Sequence, residues 1–183
     1  MKQFKRIIAF LTLALMLVSL NGFGTVRAEE AKSFPKFQGK DFEGNDVDET
    51  MFSKNALTVV SMWFNGCSAC VDEMAGLEKF NEKLKEKGAE IVGFNVEADY
   101  SEEALKQAKE IVKKQGVTYR NFYLTGGDEA KSFVGEVMAF PQAYLVDRNG
   151  KIVGQPIAGA IDTEERMAEI MKAVDEAIAA EKK

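Results

Sequence analysis

Residues 57–74, LTVVSMWFNGCSACVDEM, decide the fold of this chain. They begin with a continuous run of β-branched and aromatic residues, which is typical of a strand buried on both faces of a sheet. The run leads into Cys67 and Cys70, the only 2 cysteines in the chain. From Ala69 to Lys87, apolar residues recur at helical spacing. The pattern therefore places a pair of cysteines at the N-terminus of a helix that follows a strand.

This placement predicts thiol–disulfide exchange. The amide N–H groups and the dipole of the first helical turn stabilise a thiolate, so Cys67 is expected to be the nucleophile. Cys70 lies one turn further and can attack a mixed disulfide. A purely structural bridge is the alternative, but so short a loop would stabilise the fold by only about 2 kcal/mol, against about 4.7 kcal/mol for a 100-residue loop. A zinc site within the chain is excluded, because it needs four Cys or His ligands and the chain has no histidine.

Residues 1–28 are predicted to be a signal peptide, or an N-terminal anchor that is not cleaved. Lys2, Lys5 and Arg6 form a basic start, and residues 7–20 are apolar but for two hydroxyl side chains. The residues before Glu29 are compatible with cleavage there. Export agrees with a pair of cysteines, because disulfides persist outside the cytosol.

The remaining chain is predicted to hold a short tether, residues 29–33, and one domain, residues 34–183. The formal net charge of −5 becomes −9 once the four basic residues of segment 1–28 are removed. Such an acidic protein is not expected to bind nucleic acid or an anionic membrane surface directly. Its oligomeric state is left open, and a monomer is expected.

The rest of the pattern predicts an α/β domain in which strands alternate with helices. Ser101 and Gly116 delimit one helix, and Asn149-Gly150 is a strong hairpin signal. The predicted strands are 34–37 and 41–47 around a turn, 57–64, 91–96, 121–124, 142–147 and 152–154. The predicted helices are 69–87, 102–115, 129–134 and a last one from Asp162 or Thr163 nearly to Lys183.

From about Phe34 to the last helix, the chain resembles the TlpA/ResA-like class of extracytoplasmic thioredoxin-fold proteins. The resemblance implies a thioredoxin-like fold: a central mixed β-sheet flanked by helices, an N-terminal β-hairpin extension and a helical insertion, here residues 101–118. Its landmarks, in order, are Met62-Trp63, the Cys67–Cys70 pair, Glu73, Phe140-Pro141 and the hairpin 146–152.

The resemblance implies roles for four residues. Cys67 matches the attacking thiol and Cys70 the resolving thiol. Pro141 matches a cis-proline beside the disulfide that presents backbone to a substrate chain; an ordinary proline at the start of a strand is the alternative. Glu73 matches an acidic residue beside the dithiol, which could relay a proton or oppose thiolate formation, unless it is only a solvated helix residue. Trp63 is either an aromatic residue of the site or part of the core.

Three departures from the family pattern are visible in the sequence. Gly66 replaces a tryptophan before the first cysteine, so the Cys67 sulfur is expected to be less shielded and its loop more mobile. Ala75 replaces a helix proline, so the usual kink is expected to be missing. The pair Ser68-Ala69 contains no proline, and it leaves the redox potential open.

The chain is therefore expected to be an exported thiol-disulfide oxidoreductase that reduces disulfides of extracytoplasmic proteins without a cofactor or metal. Its expected partners are apocytochrome c, a secreted enzyme or a partner reductase, with a membrane thiol transporter as electron donor. The alternatives are an oxidase of exported proteins, a thiol peroxidase and a non-catalytic thioredoxin-like binding module. Peroxidases of this fold carry Thr or Ser three residues before the reactive cysteine, where this chain has Phe64.

Overall fold

The computed structural model describes residues 32–181. The predicted signal peptide or anchor, residues 1–28, lies outside these residues, as do positions 29–31 of the predicted tether. Within the described part of the chain, no helix combines the length and the apolar character needed to cross a membrane.

One mixed sheet contains the seven strands of the described residues. They are β1 Gln38–Asp41, β2 Asp46–Asp48, β3 Leu57–Trp63, β4 Ala89–Asn95, β5 Asn121–Gly126, β6 Gln142–Asp147 and β7 Ile157–Ala158. Their order across the sheet is β2-β1-β5-β4-β3-β6-β7. At the centre, β3 pairs in parallel with β4 and antiparallel with β6. The predicted N-terminal hairpin, β1 and β2, is added antiparallel to β5.

The helices of the described residues begin and end close to the predicted positions. They are α1 Ser68–Lys85, α2 Glu102–Lys114, α3 Asp128–Gly135 and α4 Glu164–Glu181, with a 3-10 helix at Glu49–Lys54 that the sequence pattern did not predict. Helix α2 begins where Ser101 Oγ accepts a hydrogen bond from Ala104 N–H at 3.1 Å. Beyond its end, Gly116 has a φ of 68°, a conformation that favours glycine. Thr163 caps α4 by accepting a bond from Arg166 N–H at 3.3 Å.

The core lies on both faces of the sheet, because every residue of β3 is buried. Successive side chains of a strand point to opposite faces. Val59 accordingly packs with Leu77 of α1 and Ile170 of α4, whereas Val60 packs on the other face. That second cluster is rich in phenylalanine, with residues 34, 37, 52, 94, 122 and 133. The prediction of a central strand buried on both faces is confirmed.

The predicted Asn149-Gly150 turn is present after β6. The Asp147 carboxylate accepts hydrogen bonds from Asn149 N–H at 2.8 Å and from Lys151 N–H at 2.9 Å. Gly150 has a φ of 75°, which glycine adopts without steric cost. The hydrogen bonds to the Asp147 carboxylate and the conformation of Gly150 therefore stabilise this turn together.

The strand predicted at 152–154 is wrong. Ile152 bridges Val146 and Val153 N–H donates to Leu145 C=O at 2.8 Å, but this pairing with β6 is too short to form a regular strand. Gly154 then has a φ of 72°, so the extended run cannot continue through it. The chain returns as β7, where Ala158 pairs with Gln142 at the start of β6.

The first described residues also pair with this turn. Ser33 bridges Lys151, and Lys32 C=O accepts a bond from Ile152 N–H at 2.8 Å. Lys32 of the predicted tether is thus hydrogen-bonded to the domain, and Ser33 lies opposite Lys151. The chain enters the fold beside the turn that follows β6.

We expect Gly93→Ala to lower the free energy of unfolding by about 1–3 kcal/mol, as overpacking of a core does. A Cβ at this position of β4 would lie 1.9 Å from Asn121 Oδ1, which accepts the Trp63 indole N–H. Denaturant unfolding followed by the fluorescence of Trp63, the single tryptophan, measures the change. Gly135→Ala is the control, because nothing lies within 4 Å of the Cβ it adds. Equal stabilities of the two variants would contradict this account.

Candidate active site

The loop between β3 and α1 carries the two cysteines. Cys67 N–H donates to Phe64 C=O at 3.0 Å, which closes a turn directly after the strand. Cys67 is the N-cap of α1, and its Sγ accepts a hydrogen bond from Cys70 N–H at 3.2 Å. The first cysteine therefore occupies the helix end at which a negative sulfur is stabilised.

Cys67 and Cys70 form a disulfide, with an S–S distance of 2.02 Å. Cys67 is 7% exposed and Cys70 is 1% exposed. Cys67 is buried although Gly66, the residue before it, is exposed. Cys67 is still the more accessible of the two sulfur-bearing residues, as its predicted attacking role requires.

Pro141 lies at the same end of the sheet as the cysteine loop. The Phe140–Pro141 peptide bond is cis, as the resemblance implied. Gln142, the next residue, pairs with Met62 near the end of β3, so Pro141 follows the strand edge toward the loop that carries Cys67. The Pro141 carbonyl accepts a hydrogen bond from Gly159 N–H at 2.9 Å.

An aromatic pair connects the cysteine loop to the cis-proline loop. The rings of Phe64 and Phe140 meet edge to face, with centroids 5.3 Å apart. Both side chains are half-buried. In the sequence, Phe64 was noted only because it stands where peroxidases carry Thr or Ser. The contact with Phe140 was not predicted, because the two residues are distant in the chain.

Glu73 is buried, with 2% of its surface exposed, and it is not a solvated helix residue. It lies one helical turn after Cys70, and its Oε2 accepts a hydrogen bond from Ile161 N–H at 2.8 Å. Burial is the main cause that raises the pKa of Glu73 from 4.5 to about 7, and the Asp162 charge adds to it. The bonds from Ile161 and Ser61 act in the opposite direction. The site therefore contains a carboxyl group that titrates near neutral pH.

Gly76 allows the segment before α4 to approach Glu73. A Cβ on Gly76 would lie 2.8 Å from Asp162 Cβ, so no larger residue fits there without a shift. On another side, burial and the Glu73 charge raise the pKa of Tyr119 above its usual range. Sequence reasoning did not find Ile161, Asp162 or Tyr119; the only local signal was a glycine inside a helix.

Trp63 belongs to the core. It is 1% exposed, and its indole N–H donates to Asn121 Oδ1 at 3.0 Å. Its ring meets Phe42 edge to face at 6.3 Å. Of the two interpretations open from the sequence, the core tryptophan is the one that the structure supports.

Across residues 32–181, no group of three or more His, Cys, Asp or Glu side chains is placed to hold a metal ion.

Comparison with known proteins identifies the family. The AhpC/TSA family model matches residues 31–155. The chain belongs to this family. Among its relatives, the thiol-disulfide oxidoreductase ResA of Bacillus thuringiensis subsp. konkukian is 29% identical over 148 residues, which cover 81% of this chain and 80% of that protein.

Solved structures give the same result for the fold. This chain matches the thioredoxin domain of a thiol-disulfide oxidoreductase from Bacteroides vulgatus with a TM-score of 0.63 and 28% identity. The match covers 79% of this chain and 96% of that one. StoA from Bacillus subtilis, 19% identical, shares the fold with a TM-score of 0.59 over 75% and 97% of the two chains. The TlpA/ResA-like resemblance and the thioredoxin-like fold are confirmed. Family, fold and cysteine pair make the chain a thiol-disulfide oxidoreductase.

We expect Glu73→Gln to change how stability depends on pH. With a folded pKa of about 7 against an ordinary 4.5, the folded protein binds more protons than the unfolded chain between these values. The contribution of Glu73 to wild-type stability is then fully present below pH 4.5, and this contribution falls by up to about 3 kcal/mol as the pH rises through 7. Glutamine keeps the oxygen that accepts the Ile161 bond and cannot ionise, so the variant should lack this fall.

Denaturation of the oxidised protein between pH 4 and 9 measures this difference. The exposed Glu82→Gln on the same helix is the control and should follow the wild type. A constant difference between Glu73→Gln and wild type across the range would contradict the assignment.

Proposed function

We propose that this chain is an exported reductase of protein disulfides that works through the Cys67–Cys70 couple. The observation that carries the proposal is the disulfide at the N-terminus of α1, with Cys67 more exposed than Cys70. Such an arrangement suits an attacking thiol at the surface and a resolving thiol beneath it.

The reaction has two exchange steps. The Cys67 thiolate of the reduced protein attacks one sulfur of a target disulfide; a mixed disulfide forms, and the other target sulfur leaves as a thiolate. Cys70 then attacks Cys67 Sγ and releases the second target sulfur. Two electrons pass to the target, and the protein keeps the Cys67–Cys70 disulfide. The Cys70 N–H, which donates to Cys67 Sγ, favours the thiolate that starts the sequence.

Glu73 is proposed as the group that exchanges a proton with Cys70. The resolving thiol is 1% exposed and must ionise before it attacks, so it needs a base inside the protein. A carboxyl one turn away with a pKa of about 7 can accept that proton near neutral pH. Once charged, the same carboxylate opposes a second negative charge at the cysteines, which disfavours the reduced form.

The cis-proline loop is proposed to hold the target chain. Pro141 has no N–H, and its carbonyl is bonded to Gly159. Phe140 is then the neighbouring residue whose backbone N–H and C=O are suited to pair with an extended segment of the target. Its ring, packed on Phe64, would form an apolar floor for that segment.

The surroundings of the disulfide favour protein targets over small charged disulfides. Segments 62–71, 137–142 and 157–161, which meet at this end of the sheet, contain no Asp, Glu, Lys or Arg. Small anionic disulfides are recognised by cationic side chains. Segments of backbone and apolar groups without a cationic side chain instead suit a polypeptide.

Location and partners rest on the sequence alone. The basic start and apolar stretch of residues 1–28 support export, with or without cleavage. Outside the cytosol a reductase needs electrons from the membrane, so a membrane thiol transporter is the proposed donor. Apocytochrome c, a secreted enzyme or a partner reductase such as a methionine sulfoxide reductase are the proposed targets, and the protein is proposed to act as a monomer.

We expect Cys67→Ala to abolish the reduction of insulin disulfides, because no nucleophile remains at the surface. Cys70→Ala should instead accumulate a covalent complex with the target through Cys67, visible on a non-reducing gel and lost with dithiothreitol. The exposed Ser68→Ala, between the two cysteines, is the control and should keep turnover. Two inactive cysteine variants without a trapped complex would overturn these roles.

We expect the purified protein to have a reduction potential near or below about −230 mV, in the range of thioredoxins and glutaredoxins. Equilibration against glutathione or dithiothreitol, with the redox states separated by thiol alkylation, measures it. A value near about −120 mV, typical of a strong disulfide donor, would overturn the direction and make the chain an oxidase of exported proteins.

A further inference from the structure

Asn65 connects the cysteine loop to the insertion helix α2. Its Nδ2 donates to Ala104 C=O at 2.9 Å, in the first turn of α2. The same nitrogen lies 3.5 Å from Gln107 Oε1, one turn further along the helix. A residue two positions before Cys67 is therefore bonded to a helix that lies about 40 residues away in the chain.

The turn after β4 holds the same residue from a second side. Asn95, fully buried at the end of β4, donates from its Nδ2 to Asn65 Oδ1 at 3.0 Å. Its own Oδ1 accepts from Glu97 N–H at 2.9 Å and from Ala98 N–H at 2.7 Å. The Glu97 carboxylate in turn accepts from Asn65 N–H at 2.7 Å. Asn65 thus uses its backbone donor, its side-chain donor and its side-chain acceptor.

These bonds have a particular importance in the reduced protein. When the disulfide opens, the covalent link that keeps Cys67 beside the first turn of α1 is lost. The turn bond from Cys67 N–H to Phe64 C=O does not involve the sulfur atoms, and neither do the bonds of Asn65, which lies between those two residues. Ordering the backbone of each loop residue costs about 1–2 kcal/mol of conformational entropy, and these bonds help to offset that cost.

We propose that Asn65 is a positioning residue for thiol–disulfide exchange: its bonds to α2 and Asn95 hold the loop that keeps Cys67 Sγ at the N-terminus of α1. This inference rests on the proposed function, since it concerns the thiolate that attacks the target. It also gives the helical insertion a role, because the first turn of α2 supplies the carbonyl that binds Asn65.

The charged groups around the cysteine loop come from three elements. Glu97 lies in the turn after β4, Glu73 faces the core from α1, and Asp162 lies before α4. Residues 137–143 of the cis-proline loop contain no ionisable side chain. All three groups are acidic and would oppose a thiolate, so the helix N-terminus must supply its stabilisation.

The test is the pH dependence of Cys67 alkylation in the reduced full-length chain. Iodoacetamide reacts with the thiolate, and mass spectrometry identifies the residue modified. We expect Asn65→Ala to raise the midpoint pH of Cys67 alkylation by about half a unit. In this variant the sulfur is held less closely to the N-terminus of α1, so its thiolate is less stabilised. Alkylation at pH 6 should then slow by about threefold, and the reduction potential should become more negative.

Two further variants complete the design. Gln107→Ala removes only the 3.5 Å contact and should behave like the wild type. Asn65→Ser keeps a hydroxyl that can donate to the Ala104 carbonyl, so its midpoint should lie between those of wild type and Asn65→Ala. It also replaces Asn65→Ala if that variant does not fold.

The outcomes separate the two proposals. A lower free energy of unfolding in Asn65→Ala with an unchanged midpoint would mean that Asn65 only stabilises the fold, and it would overturn this inference. Unchanged midpoints of Cys67 alkylation in both Asn65 variants would also overturn this inference. A wild-type midpoint near about 8.5, that of an ordinary thiol, together with no reduction of insulin, would overturn the proposed function as well.

Discussion

Both edges of β3 are hydrogen-bonded, to β4 on one side and to β6 on the other, and this pairing places every part of the site. Parallel pairing brings the ends of β3 and β4 together, so the loop to Cys67 and the turn after Asn95 share one edge. Antiparallel pairing brings the start of β6, and with it Pro141, to the same edge. The disulfide and the cis-proline meet there because three strands are in register.

Local signals were enough to predict most of this fold from the sequence. The uninterrupted apolar run predicted β3, Ser101 and Gly116 delimited α2, and Asn149-Gly150 predicted a turn. Strand β7 carries no such signal, because it has two residues between Pro156 and Gly159 and exists only through its pairing with β6. The 3-10 helix after β2 was not predicted for a related reason. Its N-cap, Asp48, is also the last residue of β2, so the sequence shows no separate signal between the strand and the helix.

Of the candidate site, only the residues that belong to a recognisable sequence motif could be predicted. The two cysteines and the cis-proline belong to patterns that can be read locally or by resemblance. The burial of Glu73 is different, because the N–H that binds it comes from Ile161, 88 residues away, and the approach depends on Gly76. Asn65 could not be found from the sequence either, since its partners lie at the end of the next strand and on the helix that follows it. Properties that arise from tertiary contacts cannot be found in a spacing rule.

The place where the chain enters the domain has a consequence for access. Ser33 pairs with Lys151 next to Asp147, and Asp147 lies opposite Leu57, the first residue of β3. The disulfide follows the last residue of that strand. Seven residues of β3 at roughly 3.3 Å each separate the two ends by about 20 Å. Residues 32 and 33 therefore lie at the end of the sheet opposite the disulfide, and they do not cover the approach to the cysteine pair.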